Sequence, residues 1–243
     1  LKQFASIGDL DEYLTLIRSA AGHRSSDFVW MLFRPDRAVH VDGIKALQLA
    51  KDPDTLDAFL LEMRGKSEVP ARTAALSFAA VALPNVESRL AQLLGPQPKD
   101  AKDTKDSRDM QQAARRLALE MPITPPLEQI LWQLESTSGG EERLQVIARL
   151  ATGAADAKNV PRWTRLAADR DDNARNRALE FLSLKSQAPP TELLVAQLPN
   201  AGYATQQIMI EALTRAASTG GPAFIYQLLH LIASGDLGTR TAV

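Results

Sequence analysis

The chain has 243 residues, of which 45% are hydrophobic and 23% are charged, and its formal net charge is −1. This composition is typical of a globular protein and excludes general disorder, while the near-zero charge is against a dominantly basic nucleic-acid protein. The absence of cysteine excludes disulfides, thiolate metal sites and cysteine catalysis.

Helical periodicity dominates the chain, and strand signals are nearly absent. The first predicted helix follows Asp9, a candidate N-cap, and places Leu10, Tyr13, Leu14 and Ile17 on one apolar stripe. Further helices are predicted over residues 26–33, 42–51, 55–64, 86–94, 109–121, 126–135, 141–151, 160–168, 172–184, 190–198, 203–217 and 222–233, and a longer one is predicted to start near Val69.

These helices fall into pairs that repeat along the chain. The second helices begin near residues 71, 110, 141, 173, 203 and 237, at steps of roughly 30 to 39 residues, which is the range of two-helix solenoid repeats. One pair cannot bury its apolar stripes alone, but stacked pairs share a core. The predicted fold is therefore all-α, a right-handed α-α superhelix of about six or seven helix pairs forming a single domain over 1–243.

The longest step contains a segment, 96–108, whose charges alternate in sign. Such a pattern indicates a solvated, mobile loop, and the alternative is a docking or regulatory loop. At the C-terminus, Asp236 begins what looks like a helix that is cut off at Val243, which predicts that the natural protein continues. Neither a signal peptide nor a membrane-length apolar run is visible. The compartment is undecided, with a slight preference for the cytoplasm.

Three segments resemble the second helix of a HEAT repeat. Residues 172–182, Asp-Asn-Ala-Arg-Asn-Arg-Ala-Leu-Glu-Phe-Leu, place an acid, an arginine and then alanine and leucine at helical spacing, and residues 69–76 and 236–243 look like further copies. The chain therefore resembles the HEAT-repeat and armadillo-like α-solenoids from about Asp36 onwards. The resemblance implies a stack in which the second helices line a concave face.

Arginines recur on these predicted second helices, whereas their acids cluster at the helix starts, where they favour the helix dipole. A functional interpretation is a positive groove for an acidic peptide or a nucleic-acid backbone. The alternative is that the arginines at the HEAT-pattern positions, Arg72, Arg175 and Arg240, stack along the solenoid and pair with Asp side chains of neighbouring repeats. The predicted partner-binding residues are the other arginines, Arg115, Arg116, Arg149, Arg177 and Arg215.

No catalytic residue, metal site or cofactor site is predicted. The three histidines lack the spacing of a zinc site, and no phosphate-binding or nucleophile-elbow motif occurs. We expect Trp30, Trp132 and Trp163 to pack in the core. The alternative for Trp163 is a site with Asp169, Arg165 and Arg170, which resembles the basic aromatic cleft of the alkylpurine DNA glycosylases.

The expected function is a non-catalytic scaffold that binds another protein or an acidic peptide along its concave face. One alternative is a nucleic-acid-binding or base-excision protein that uses the same face. Another is a docking domain of a larger enzyme or assembly factor. A basic face with an aromatic cleft would favour DNA, whereas a mixed face with exposed Leu, Tyr or Phe would favour protein.

Overall fold

The structure is a computed structural model that describes residues 24–64, 66, 68–79, 81, 86–95, 104–153, 156–186 and 190–234. Within these residues all regular secondary structure is helical and no strand occurs, which confirms the all-α prediction. The chain divides into two compact units, Leu1–Leu134 and Glu135–Val243. The prediction of one continuous solenoid domain is not tested by this division and stays a prediction.

The first unit begins with two short 3₁₀ segments, Ser25–Asp27 and Val29–Phe33, where the sequence predicted one helix. Its α-helices are α1 (Arg37–Ala50), α2 (Thr55–Met63), α3 (Glu68–Phe78), α4 (Val86–Leu94), α5 (Lys105–Glu120) and most of α6 (Pro125–Thr137). Helix α5 packs on α2, α3 and α4. Two successive second helices of the predicted repeat, α3 and α5, thus lie side by side.

The core of the first unit is built around a stack of three phenylalanines. The ring of Phe59 lies 5.3 Å from that of Phe33 and 4.1 Å from that of Phe78, measured between centroids. The 3₁₀ segment before α1 also packs closely against α1. A Cβ at Gly43 in α1 would lie 2.8 Å from Cβ of Met31 in this segment. A side chain at position 43 would therefore force α1 away from the core.

The second unit contains the end of α6 and the remaining helices. These are α7 (Gly140–Leu150), α8 (Val160–Leu166), α9 (Asp172–Lys185), α10 (Thr191–Gln197) and α11 (Tyr203–Ser234), with 3₁₀ segments at Ala157–Asn159 and Leu198–Asn200. Helix α9 packs on its predicted pair partner α8 and on the second helices before and after it, α7 and α11. Helix α10 packs on its partner α11. The stacking of such pairs into a right-handed solenoid stays a prediction.

Trp163 and Phe181 form the aromatic centre of the second unit. Their rings are stacked with centroids 4.0 Å apart, and Trp163 is 1% exposed. Trp132, near the end of the first unit, is also buried. The predicted core positions of these two tryptophans are confirmed, whereas Trp30 is only half-buried and donates from Nε1 to the Asp27 carbonyl oxygen at 2.8 Å.

Two helices begin earlier than the sequence predicted. Helix α1 starts at Arg37 instead of residue 42, because the Asp36 carboxylate caps it by accepting from the Ala38 N–H at 2.8 Å. Helix α5 starts at Lys105 instead of residue 109, because Thr104 and Ser107 form a reciprocal capping box. The last four residues of the segment predicted as a charged loop are therefore helical.

Two Gly-Gly sequences, each lying between two predicted helices, behave differently. Gly139 lies between α6 and α7, and Gly140 begins α7 with a φ of +55°, a conformation that favours glycine. Gly220 and Gly221 lie inside α11, which is one continuous helix from residue 203 to 234. The predicted break there is wrong, because the helix continues through both glycines and Pro222.

Three predictions concern residues outside the described part of the chain. They are the helix after Asp9, the loop residues 96–103 and the truncated repeat from Asp236, which includes Arg240.

Candidate functional site

A network of four charged side chains lies where α6, α7 and α8 meet in the second unit. Glu135 is 2% exposed and accepts from Arg143 Nη2 at 2.8 Å and from Arg165 Nη2 at 2.8 Å. Arg143 Nη2 also donates to Asp169 Oδ2 at 2.6 Å. We call these residues the Glu135 network. The negative charges of its two acids equal the positive charges of its two arginines, so the charge of the buried carboxylate is compensated.

The charges in the Glu135 network stabilise one another. The hydrogen bond from Arg143 lowers the pKa of Asp169, partial burial opposes this effect, and the Asp171 backbone N–H adds to the lowering. The hydrogen bonds to Asp169 and Glu135 raise the pKa of Arg143 above its ordinary value. Asp169 is therefore a carboxylate held in its charged form.

This arrangement does not match the site suggested by the glycosylase resemblance. Trp163 is buried under Phe181, so its ring offers no surface for stacking on a nucleobase. Asp169 and Arg165 belong to the Glu135 network, while Arg170 is exposed in the following connection. The structure thus places these residues in a structural cluster and not in an open aromatic cleft.

The HEAT-pattern arginines in the described residues make contacts within the fold. Arg72 Nε lies 3.2 Å from Glu120 Oε2, which joins α3 to the next second helix, α5. The Arg175 side chain is 15% exposed and donates to the carbonyl oxygens of Asp169 at 3.2 Å and Asn200 at 3.1 Å, and to Asp172 Oδ1 at 2.7 Å. Both arginines therefore have partners within the fold, but not the predicted ones: Arg72 pairs with a glutamate, and the carboxylate that Arg175 contacts lies in its own helix.

Two of the five predicted partner-binding arginines lie on α5 in the first unit. Arg116 is exposed and its Nη1 donates to the Lys66 carbonyl oxygen at 3.2 Å. Arg115 is half-buried. The other three lie on second helices of the second unit, so the two sets do not form one described site.

In the second unit, Arg149, Arg177 and Arg215 have different surroundings. Arg149 Nη1 donates to Thr152 Oγ1 at 3.1 Å at the end of α7. Arg215 Nη2 donates to the Ser183 carbonyl oxygen at 2.9 Å and so joins α11 to α9. Arg177 is exposed on α9 and lines a groove. Partner binding by the five arginines stays a prediction.

The groove that Arg177 lines has a volume of about 600 Å³ and is formed by three successive second helices, α7, α9 and the start of α11. We call it the second-helix groove. It is open to solvent, and its floor contains apolar side chains of α7, including Leu144 and Ile147. Its polar and aromatic lining consists mainly of Glu141, Asn173, Asn176, Arg177, Glu180 and Tyr203.

Hydrogen bonds join α9 to the start of α11 along this groove. Asn176 Oδ1 accepts from the Gly202 N–H at 3.1 Å, and Glu180 Oε1 accepts from Thr205 Oγ1 at 3.0 Å. Position 202 is tightly packed, because a Cβ there would lie 3.3 Å from Asn176 Nδ2. The groove wall between α9 and α11 is therefore held by side-chain contacts as well as by helix packing.

Sequence reasoning missed Glu141, Asn173 and Tyr203 as site residues. All three lie in the first turn of a second helix, at steps of about 30 residues, the repeat length expected for stacked pairs. Residues at the same repeat position lie side by side when the pairs stack. Aligning the helix starts would have brought these three side chains to one surface.

No group of three or more histidines and carboxylates in the described part of the chain is arranged to hold a metal ion. None of the helices described is both long and apolar enough to cross a bilayer.

No family model, no curated protein and no solved structure matches this chain.

Proposed function

We propose that this protein is a non-catalytic scaffold, a right-handed HEAT-like solenoid that binds an extended segment of a partner protein along its second helices. The observation that carries the proposal is the second-helix groove, which runs across three successive second helices. A surface built from repeated helices can hold an extended chain without a deep pocket.

The chemistry of the groove suits a polypeptide. Asn173 and Gln145 place carboxamides at the groove, and neither side chain makes a hydrogen bond to another described residue. A carboxamide offers both donors and an acceptor, so it can pair with the N–H and C=O groups of a peptide backbone. Leu144, which is half-buried, supplies apolar area beside them.

Tyr203 gives the groove an exposed aromatic anchor. Its side chain is 78% exposed at the first position of α11. Tyrosine is enriched among the residues that dominate binding energy, since it buries a large ring at a small entropy cost. A mixed surface with an exposed tyrosine favours a protein partner over a nucleic-acid backbone.

The first test is selection from a random linear-peptide display library on the purified protein, followed by affinity measurements on the enriched peptides. We expect Tyr203→Ala to weaken binding about tenfold or more, the scale of an aromatic hot spot. Tyr226→Ala is the matched control, because Tyr226 is 74% exposed on the same helix but does not line the groove. Peptides that bind both variants equally well would contradict the assignment of the groove.

A second measurement tests the nucleic-acid alternative directly. Fluorescence anisotropy of a labelled DNA duplex, titrated at low and physiological salt, reports phosphate neutralisation as a steep loss of affinity with salt. We expect a flat titration at both salt concentrations. Micromolar binding with a steep salt dependence would replace the scaffold proposal.

A further inference from the structure

We infer that the second-helix groove contains a subsite for a basic side chain, lysine or arginine, of the partner segment, formed by the Glu141 carboxylate and the Tyr203 ring. This inference rests on the proposed function and specifies the chemistry of the partner. It differs from the acidic peptide that the arginine pattern predicted.

The charge balance of the groove is the first argument. Its charged lining residues are Glu141, Arg177 and Glu180, which are two carboxylates and one guanidinium. Arg177 Nη1 lies 3.4 Å from Glu180 Oε2, so these two charges largely compensate each other. The remaining charge of the groove is therefore negative and resides on Glu141.

The state of the two carboxylates is the second argument. Glu180 is half-buried and engages both oxygens, one with Arg177 and the other with Thr205. Glu141 is exposed, and its side chain makes no ion pair or hydrogen bond to another described residue. Glu141 is thus the acid in the groove that an incoming cation can reach without breaking an existing contact.

The aromatic ring is the third argument. A guanidinium or ammonium group is attracted to the face of a tyrosine ring as well as to a carboxylate. Tyr203 lines the same groove from α11 as Glu141 does from α7, and both helices pack on α9. A long basic side chain can place its methylene groups along the ring and its charged end at the carboxylate.

The two other predicted partner-binding arginines of the second unit do not offset the negative charge of the groove. Arg215 donates to the Ser183 carbonyl oxygen, and Arg149 donates to Thr152. Neither residue lines the groove. The groove's own electrostatics, and not the number of arginines on the second helices, decide which charge it accepts.

The test uses peptides enriched by display on the full chain. We expect them to carry a lysine or arginine at a fixed position, and replacing that residue with glutamine to weaken binding about two- to fivefold, the range of an accessible ion pair. The same replacement should have a smaller effect on binding to the Glu141→Gln protein, where only the Tyr203 ring remains to attract the positive charge. The affinity difference should also shrink at high salt.

Glu192→Gln is the matched control for Glu141→Gln. Glu192 is likewise an exposed acid in the first turn of a helix, so both variants lose the same favourable interaction with a helix dipole, but Glu192 does not line the groove. We expect the control to bind every peptide as the unmodified protein does.

The outcomes separate this inference from the proposed function. Peptides that depend on Tyr203 but carry no fixed basic residue, or carry a fixed acidic one, overturn the basic subsite and leave the scaffold proposal standing. A selection that yields no Tyr203-dependent peptide overturns both. A fixed basic residue whose contribution to binding becomes smaller in the Glu141→Gln protein supports both.

Discussion

Each compact unit holds one arginine between two carboxylates, but the two clusters differ in burial. In the first unit, Arg64 Nη2 lies 2.6 Å from Asp106 Oδ1 and 3.2 Å from Asp109 Oδ2. In the second, Arg143 contacts Glu135 and Asp169 at similar distances. The two arginines are almost equally exposed, 24% and 22%, whereas Asp106 is 83% exposed and Glu135 is 2% exposed.

This difference teaches that distance alone does not decide what an ion pair contributes. An exposed carboxylate that loses its arginine returns to water at little cost. A buried carboxylate that loses its arginine keeps its charge in a poorly solvated place. Arg64 therefore joins α2 to α5 weakly, whereas Arg143 is required to compensate a charge inside the second unit.

Arg143→Met should produce the largest effect. Glu135 would keep one arginine, Arg165, and lose the other, and we expect the free energy of unfolding of the second unit to fall by about 3 kcal/mol. Urea denaturation followed by circular dichroism measures the loss. The double variant Glu135→Gln, Arg143→Met should lose less than the sum of the single changes, because removing the buried charge removes the need for its partner. If Arg143→Met and Arg64→Met lowered the free energy of unfolding equally, burial of the carboxylate would not be what separates the two clusters.

Asp169→Asn should have an intermediate effect that depends on pH. Because the pKa of Asp169 is lowered in the folded state, its charge contributes stability that is present above the unfolded value of about 3.9 and is lost as pH falls through the folded value. We expect a loss of about 1.5 kcal/mol at pH 7, shrinking progressively below pH ~4. Denaturation curves from neutral to strongly acidic pH measure this. Asp106→Asn is the control, and a difference for Asp169→Asn that persists unchanged in acid would be inconsistent with a lowered pKa.

Arg64→Met should have the smallest effect. Its partners are reached by solvent, and the hydrogen bonds that raise the pKa of Arg64 lie at the surface. We expect the urea midpoint of the first unit to stay within experimental error at physiological salt. A clear shift of that midpoint would show that the exposed cluster matters as much as the Glu135 network.

Much of the helical pattern could be predicted because its signals are local. Helix α4 occupies residues 86–94, as predicted, and α9 extends one residue beyond its predicted end. Apolar periodicity and the Asp171 cap, which accepts from the N–H groups of residues 173 and 174, define these elements within a few residues. The break predicted at Gly220 failed because breaker residues alone do not end a helix.

The contacts of the arginines could not be predicted in the same way. Arg116 donates to a carbonyl oxygen 50 residues earlier in the chain, and Arg215 to one 32 residues earlier. Every residue has a main-chain oxygen, so the sequence does not show which of them accepts a hydrogen bond. In the sequence, an arginine that binds such an oxygen cannot be distinguished from an arginine that faces a partner. The groove, by contrast, follows from the repeat length that brings Glu141, Asn173 and Tyr203 to one surface.

The Arg175 hydrogen bond to the Asn200 carbonyl oxygen has a consequence for how this protein tolerates sequence change. Every amino acid supplies a main-chain oxygen, so residue 200 can be substituted without removing the acceptor. Arg175 cannot be replaced by lysine in the same way, because lysine lacks the planar guanidinium that reaches several acceptors at once. Position 175 is thus constrained while its partner position is free. Methods that infer contacts from pairs of positions that change together would therefore not detect the contact between Arg175 and the Asn200 carbonyl oxygen.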